Sequence, residues 1–389
     1  MRVQLNMNSD DKTRDASTPN RTLDTALLAA ALLLPLAAPQ AHAESAPEKT
    51  TLSYKYLDYL DSQPDADRIG VKANALLVTT PINDEWSLTG GYVTDSISGA
   101  SPRYHTRQLT QMRDFRRGAT LGVTRYMPEG TLTVTGVHSA ESDYVSRSLS
   151  ATGIWFTDAS KNTALTAGLG LTRDSINPNN KVVVDESKRV NDVMIGVTQV
   201  LGVADIAQVT LRHSRGTGYY TDPYKAFDER PRERNASTAL ARWNHHFESL
   251  DSTLRVAYRY YTDSFDIRAH TVDLQYAQSL PHGWTVTPLL RFYTQTAASF
   301  YVPVDPARGA RPTFPASGAI FYSEDQRLSA FGAITTGLKI AKQLTPALAV
   351  DLKFEFYRQR ANWAVSGKGD EGLAPFDARS LQLGFTYQF

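Results

Sequence analysis

The chemistry-bearing residues of this chain fall into three groups. Asp58, Asp61, Asp65 and Asp67 crowd one short stretch, and Asp95 follows a strand later. Carboxylates converging at one rim suit a hard cation such as Ca²⁺, which takes six to eight oxygens. Asp61, Asp65, Asp67 and Asp95 are the candidate ligands. The alternative is a solvated turn, because Asp also favours turns and the established Gly-spaced calcium loop is missing. The second group is charged and recurs with a two-residue period: Arg255, Arg259, Tyr261 and Asp263; Thr271, Asp273 and Gln275; Arg291, Tyr293 and Gln295; Lys353, Glu355 and Tyr357. Such a set on one face of adjacent strands either lines a charged passage or pairs across strands. The third group is histidine. His245 and His246 are adjacent and face opposite sides of a strand. A nucleophilic set can be drawn from Ser214, His270 and Asp263, but no spacing supports it, and no enzyme activity is expected. No cofactor is expected beyond the candidate Ca²⁺.

These residues are positioned by strands. The segment from Arg379 to Phe389 places Leu381, Leu383, Phe385, Tyr387 and Phe389 on one face and Ser380, Gln382, Gly384, Thr386 and Gln388 on the other. The stretch 348–356 alternates in the same way, with Asp351, Lys353 and Glu355 opposite Leu348, Val350, Leu352, Phe354 and Phe356. Sixteen such segments are expected near 50–60, 69–80, 86–97, 115–127, 131–142, 147–157, 163–174, 189–201, 206–216, 235–247, 252–263, 267–280, 284–296, 327–342, 348–360 and 379–389.

The connections between them alternate in length. Those at 81–85, 128–130, 158–162, 202–205, 248–251, 281–283 and 343–347 are tight and rich in Pro, Gly, Asn and Asp. Most of the others are longer, above all 98–114, 217–234, 297–326 and 361–378. Short turns on one rim and long loops on the other imply an all-β, transmembrane, antiparallel up-and-down barrel of about sixteen strands. The turns would be periplasmic and the loops extracellular. The apolar half of each alternation then faces lipid and the polar half faces the interior. A strand of about twelve residues, tilted near 45°, rises about 28 Å, enough for the lipid band. Trp86, Trp284, Phe385, Tyr387 and Phe389 fall near the turn side, and Tyr92, Tyr260, Phe292 and Phe356 near the loop side, as aromatic girdles would. The loop 297–326 carries Phe300, Tyr301, Phe314, Phe321 and Tyr322. So many aromatics suit a segment folded into or across the barrel mouth.

Composition narrows the class. The chain has 389 residues, a net charge of +1 and no Cys. Near-neutral charge gives no pull toward nucleic acid, and the missing Cys excludes disulfides, thiol nucleophiles and Cys-ligated zinc. A mean hydropathy of −0.35 is compatible with a membrane barrel, since half of each spanning strand is polar. The only continuous apolar run, 25–38, is too short to span a bilayer. It precedes Ala41-His42-Ala43 and follows Arg2, Lys12, Arg14 and Arg21, which reads as a signal peptide over 1–43, cut before Glu44. Residues 44–389 would form one barrel domain in the outer membrane of a Gram-negative bacterium.

Several stretches carry a more specific likeness: Tyr56 to Ile69, Asp95 to Pro102, Asp222-Pro-Tyr-Lys225, Arg259-Tyr-Tyr-Thr-Asp263, Arg291 to Tyr301 and Arg327 to Gly332. Together they resemble the domain of unknown function 3570 family, uncharacterised proteobacterial outer-membrane β-barrel proteins. The resemblance covers nearly the whole mature chain and implies a barrel and its location, but no activity. It also implies a periplasmic partner of redox or maturation type. A final strand ending in Phe resembles the signal read by the barrel-insertion machinery, which assigns that role to Phe385, Tyr387 and Phe389. The expected surroundings are outer-membrane lipid and lipopolysaccharide. The favoured function is a porin-like, passive or weakly selective channel lined by Arg255, Arg259, Asp273, Arg291, Lys353 and Glu355. A closed barrel serving as a scaffold is the alternative, and an outer-membrane enzyme is the third reading.

Overall fold

The computed structural model describes residues 45–389 apart from 65, 101–110, 226 and 306–310. The expected leader lies outside the described residues. Sixteen strands close into one antiparallel barrel in chain order. They are β1 (Thr51–Gln63), β2 (Ala66–Asn83), β3 (Trp86–Ala100), β4 (Gln111–Met127), β5 (Gly130–Ala140), β6 (Tyr144–Phe156), β7 (Thr163–Ile176), β8 (Glu186–Val200) and β9 (Asp205–Gly218), then β11 (Glu233–Phe247), β12 (Ser252–Asp263), β13 (Arg268–Leu280), β14 (Trp284–Gln295), β18 (Phe331–Thr345), β19 (Leu348–Arg360) and β20 (Phe376–Gln388). Four short strands lie in the long loops. Of these, β10 (Asp228–Glu229) pairs with β17 (Tyr322–Ser323), and β15 (Val304–Asp305) pairs with β16 (Arg311–Pro312). Closure is made by β1 against β20, from Thr51 opposite Gln388 to Ser62 opposite Asp377. Every barrel strand thus has two partners, and no edge is left to pair with another chain.

The two-residue side-chain period gives the wall an inner and an outer face. Leu121, Leu149, Leu169 and Ile195 share the outer face and are 58, 54, 64 and 61% exposed. The opposite face of the same strands carries Ser, Thr, Gly and charged residues. The girdle aromatics Trp86, Tyr92, Tyr260, Trp284, Phe292, Phe356, Phe385 and Tyr387 all take outer-face register positions.

The apolar-outside pattern inverts locally at β1–β3. There Leu57, Ala73, Ala75 and Val93 form a buried cluster on the inner face with Tyr59. The outer face of the same strands sets Asp58 opposite Lys72 and Tyr56 opposite Asn74, and Tyr54 Oη donates to Asn74 at 2.6 Å. Both faces of these strands are of mixed polarity, so register rather than hydropathy decides which one turns inward.

All sixteen expected strands are present, and they depart from expectation mainly at the loop end. β4, β6 and β20 start three or four residues earlier than their alternation suggested. Segment 327–330 is not strand: Gln326–Leu328 forms a single turn, and the strand starts at Phe331. Arg327 is instead held by Asp325 and Asp222.

Candidate functional site

Cross-strand register sets charged residues side by side on the inner wall. Asn244 of β11, Arg255 of β12 and Gln275 of β13 form one row, and Leu240, Arg259 and Thr271 another. Between them lies the row Gln208, Arg242, Ala257, Asp273 and Arg291. Arg291 pairs with Asp273, and Arg212 of β9 pairs with Asp192 of β8 at 2.8 Å. Arg242 donates to Gln208 and Arg259 to Thr271, both at 3.3 Å. Among the described residues, Arg242, Arg255 and Arg259 have no carboxylate partner, and all three are exposed. On the wall made by β18 and β19, Lys353 pairs with Glu355 at 2.9 Å and Lys339 with Asp351 at 3.5 Å. The six lining residues expected from alternation therefore share the inner face. Arg291 with Asp273 and Lys353 with Glu355 are paired, while Arg255 and Arg259 are not. Arg212, Asp192 and Arg242 belong to the same wall, and alternation along β8, β9 and β11 carries their facing.

Toward the long loops the inner wall becomes densely paired. Arg116 meets Asp95 at 2.6 Å, Lys188 meets Asp174 at 3.1 Å and Arg234 meets Asp263 at 2.6 Å. These pairs are buried or half-buried, and the loop residues Tyr220 and Phe265 lie against Lys188 and Arg234. Phe265, Ile267, Ala298 and Leu328 form a buried cluster against the inner-face Tyr261, with Tyr220, Phe300 and Tyr301 packed around it. The rings of Phe265 and Phe300 lie edge-on with centroids 5.0 Å apart. Gly216 permits the approach of Tyr220, since a Cβ there would fall 1.8 Å from its hydroxyl. The first part of the long loop is thus anchored inside the mouth. Farther along the loop, Phe314, Ile320 and Phe321 are exposed.

The loops also bind one another. Tyr224 Oη donates to Asp143 at 2.5 Å, and Asn180 Nδ2 donates to the Pro223 carbonyl at 2.8 Å. The β10–β17 pairing ties 219–232 to 296–330, and Tyr301 Oη reaches Asp370 at 2.6 Å to add the loop 361–375. Beneath β10 and β17 lies a buried ionic network. Arg230 bridges Asp228 at 2.6 Å and Asp325 at 2.7 Å, and Arg327 bridges Asp325 at 2.5 Å and Asp222 at 3.3 Å. Burial works against the Asp325 carboxylate, but Arg327, Lys225 and Arg230 outweigh it and hold its pKa well below the usual range. Burial dominates at Asp228 and pushes its pKa up to about 6 despite Arg230. Asp325 is therefore the fixed charge of the network, and of these two carboxylates Asp228 is the one that takes up a proton first.

The expected calcium ligands are placed differently. Asp65 lies outside the described residues, and Asp67 is exposed. Asp61 accepts from Tyr59 Oη at 3.2 Å and from the Ile69 amide at 3.1 Å, with Arg68 at 3.8 Å. Asp95 is held by Arg116. Among the described residues, carboxylates converge instead at Asp114, Glu141 and Asp143, and at Asp222, Asp228 and Asp325. The second trio is neutralised by arginine. Ser214, His270 and Asp263 do not assemble: His270 is hydrogen-bonded to Tyr258 on the outer face, whereas Ser214 and Asp263 point inward.

The family described as protein of unknown function DUF3570 matches residues 104–380. The chain belongs to this family. Two of the stretches that carry the resemblance meet in the fold, where Arg327 pairs with Asp222. No curated protein sequence matches the chain. Among solved structures, "CdiB from Acinetobacter baumannii" is similar at 9% identity and a TM-score of 0.48, over 86% of this chain and 60% of that one. The chain thus spans about three fifths of CdiB. A "Bacterial polysaccharide outer membrane secretin" is similar at 8% identity and a TM-score of 0.52, over 87% and 98% of the two chains. A Pseudomonas aeruginosa FadL homologue is similar at 10% identity and a TM-score of 0.41, over 87% and 89%. At these identities the likeness is one of fold, that of outer-membrane β-barrels.

Proposed function

We propose that this DUF3570 protein is a passive outer-membrane channel whose lumen favours small anionic solutes. The observation that carries the reading is the group of three inner-face guanidiniums, Arg242, Arg255 and Arg259, without carboxylate partners among the described residues. A cluster of like fixed charge on one wall biases which ions enter a water-filled passage. A sixteen-stranded wall is wide enough to hold water. Arginine suits the task because it stays charged at any working pH and binds carboxylates and phosphates through paired N–H groups. The exposed leucine face supports a membrane location, with the short turns periplasmic and the long loops outside. Phe385, Tyr387 and Phe389 then end the strand that closes the barrel, where an insertion signal would be read.

The loop assembly favours a second reading, a closed barrel acting as a scaffold for a periplasmic or surface partner. Its buried network and aromatic anchor are extensive for a mere rim. Liposome swelling separates the two. Vesicles holding the purified chain should admit small carboxylated sugars faster than neutral sugars of the same size. Vesicles that swell no faster than protein-free ones would leave the scaffold.

A further inference from the structure

The outer face carries a row of basic residues, three of them arginines. His138 of β5 stands directly opposite Arg147 of β6, Arg147 opposite Arg173 of β7, and Arg173 opposite Arg189 of β8. All four are exposed, and none has a carboxylate partner among the described residues. Like charges directly across adjacent strands destabilise a sheet. They are tolerated where an external anion neutralises them. The row lies at the loop end of these strands, and the outer-face Leu149 and Leu171 sit one step nearer the barrel's middle. That is the depth at which an apolar band gives way to headgroups.

Two shallow apolar hollows lie on the same face, one of them adjoining the row. One is lined by Ala119, Leu121 and Gly136 and ends at His138 and Arg147. Gly136 makes the hollow, since a Cβ there would meet nothing within 4 Å. A second runs along Val193, Ile195, Leu211 and Ala239 beside β8 and β9.

We propose that this face binds a phosphorylated acyl lipid of the outer leaflet, lipopolysaccharide through its lipid A portion. The phosphates would bridge Arg147, Arg173 and Arg189, and acyl chains would lie in the hollows. Guanidinium forks match phosphate oxygens in paired hydrogen bonds. The inference rests on the membrane location and is independent of whether the lumen conducts.

The test uses the full mature chain in a neutral detergent, titrated with diphosphoryl lipid A, with bound lipid counted by native mass spectrometry and stability read from the unboiled-to-boiled gel transition. Arg147→Gln, Arg173→Gln and Arg189→Gln combined should weaken binding by roughly a hundredfold, as each cationic side chain near a charged lipid surface contributes separately. The corresponding triple Lys variant should retain most of the affinity. Arg173→Gln alone should raise the transition temperature without lipid, by relieving repulsion, and lower it when lipid A is saturating. Gly136→Leu, at a position where an added Cβ meets nothing within 4 Å, should weaken binding while the variant stays folded. Equal affinity of the triple Gln variant would overturn the proposal. So would equal binding of lipid A stripped of phosphate, or equal protection by inorganic phosphate alone.

Discussion

Arg327 reaches Asp222 across 105 residues of chain, with Nη2 3.3 Å from the carboxylate. The same guanidinium grips Asp325, which Arg230 holds from the other side. Two loops that share no barrel strand are thus locked through one carboxylate. Asp325→Asn should leave two guanidiniums competing for too few acceptors. Removing one partner of a buried pair costs about 3–5 kcal/mol. Hydrogen exchange in 219–225 and 322–330 should speed up by roughly a hundredfold, while exchange in the barrel strands stays unchanged. Asp222→Asn should do less, because Arg327 is 34% exposed and keeps Asp325.

Glu141 supplies a pH dependence. Burial, then the nearby Asp114, pushes its carboxyl from the ordinary 4.5 up to about 8, against the pull of Arg116. The folded loop holds the acid neutral, and the unfolded loop ionises it above about 4.5. Its contribution to stability is therefore fully present below about 4.5 and is lost as pH rises through about 8. Exchange at 141–144, corrected for intrinsic rate, should reveal a looser loop at pH 9 than at pH 5. Glu141→Gln should flatten that difference.

Facing can be tested one residue apart. Leu169 points outward and Ser150, paired with Gly170 on the neighbouring strand, points inward. Leu169→Arg should cost about 2–4 kcal/mol of barrel stability in lipid vesicles, the penalty for a cation at the middle of the lipid face. Ser150→Arg should change it little. Urea unfolding followed by tryptophan emission reads both.

The hydrogen bond from Tyr301 to Asp370 joins the long loop to the one before β20. Tyr301→Phe removes a donor to a charged acceptor, a loss of about 1.5–3 kcal/mol. Limited proteolysis should then cut first within 361–375.

Much of the wall could be read from the chain. A period of two fixes facing, so Arg255, Arg259, Asp273, Arg291, Lys353 and Glu355 were placed on one face from spacing alone. Turn residues marked the short connections. Three things were out of reach. The outer-rim strand ends of β4, β6 and β7 carry Arg on the outer face, at Arg117, Arg147 and Arg173, which blurs the apolar alternation. At β1–β3, Leu57 and Ala73 turn inward while Asp58 and Lys72 turn outward, and only pairing register reveals it. The loop network joins Asp222, Arg230 and Asp325 through irregular backbone, where no period exists to be read. Asp61 and Asp95 sit on regular strands, and the sequence shows their crowding but not that Arg68 and Arg116 of the next strands lie beside them.

The channel reading is tested most directly by the reversal potential of single barrels in planar bilayers under a tenfold KCl gradient. Reproducible steps whose reversal lies on the chloride side of zero are expected, moving toward zero when Arg242, Arg255 and Arg259 are all changed to Gln. Correctly folded barrels that stay silent, or steps that reverse on the potassium side, would contradict it.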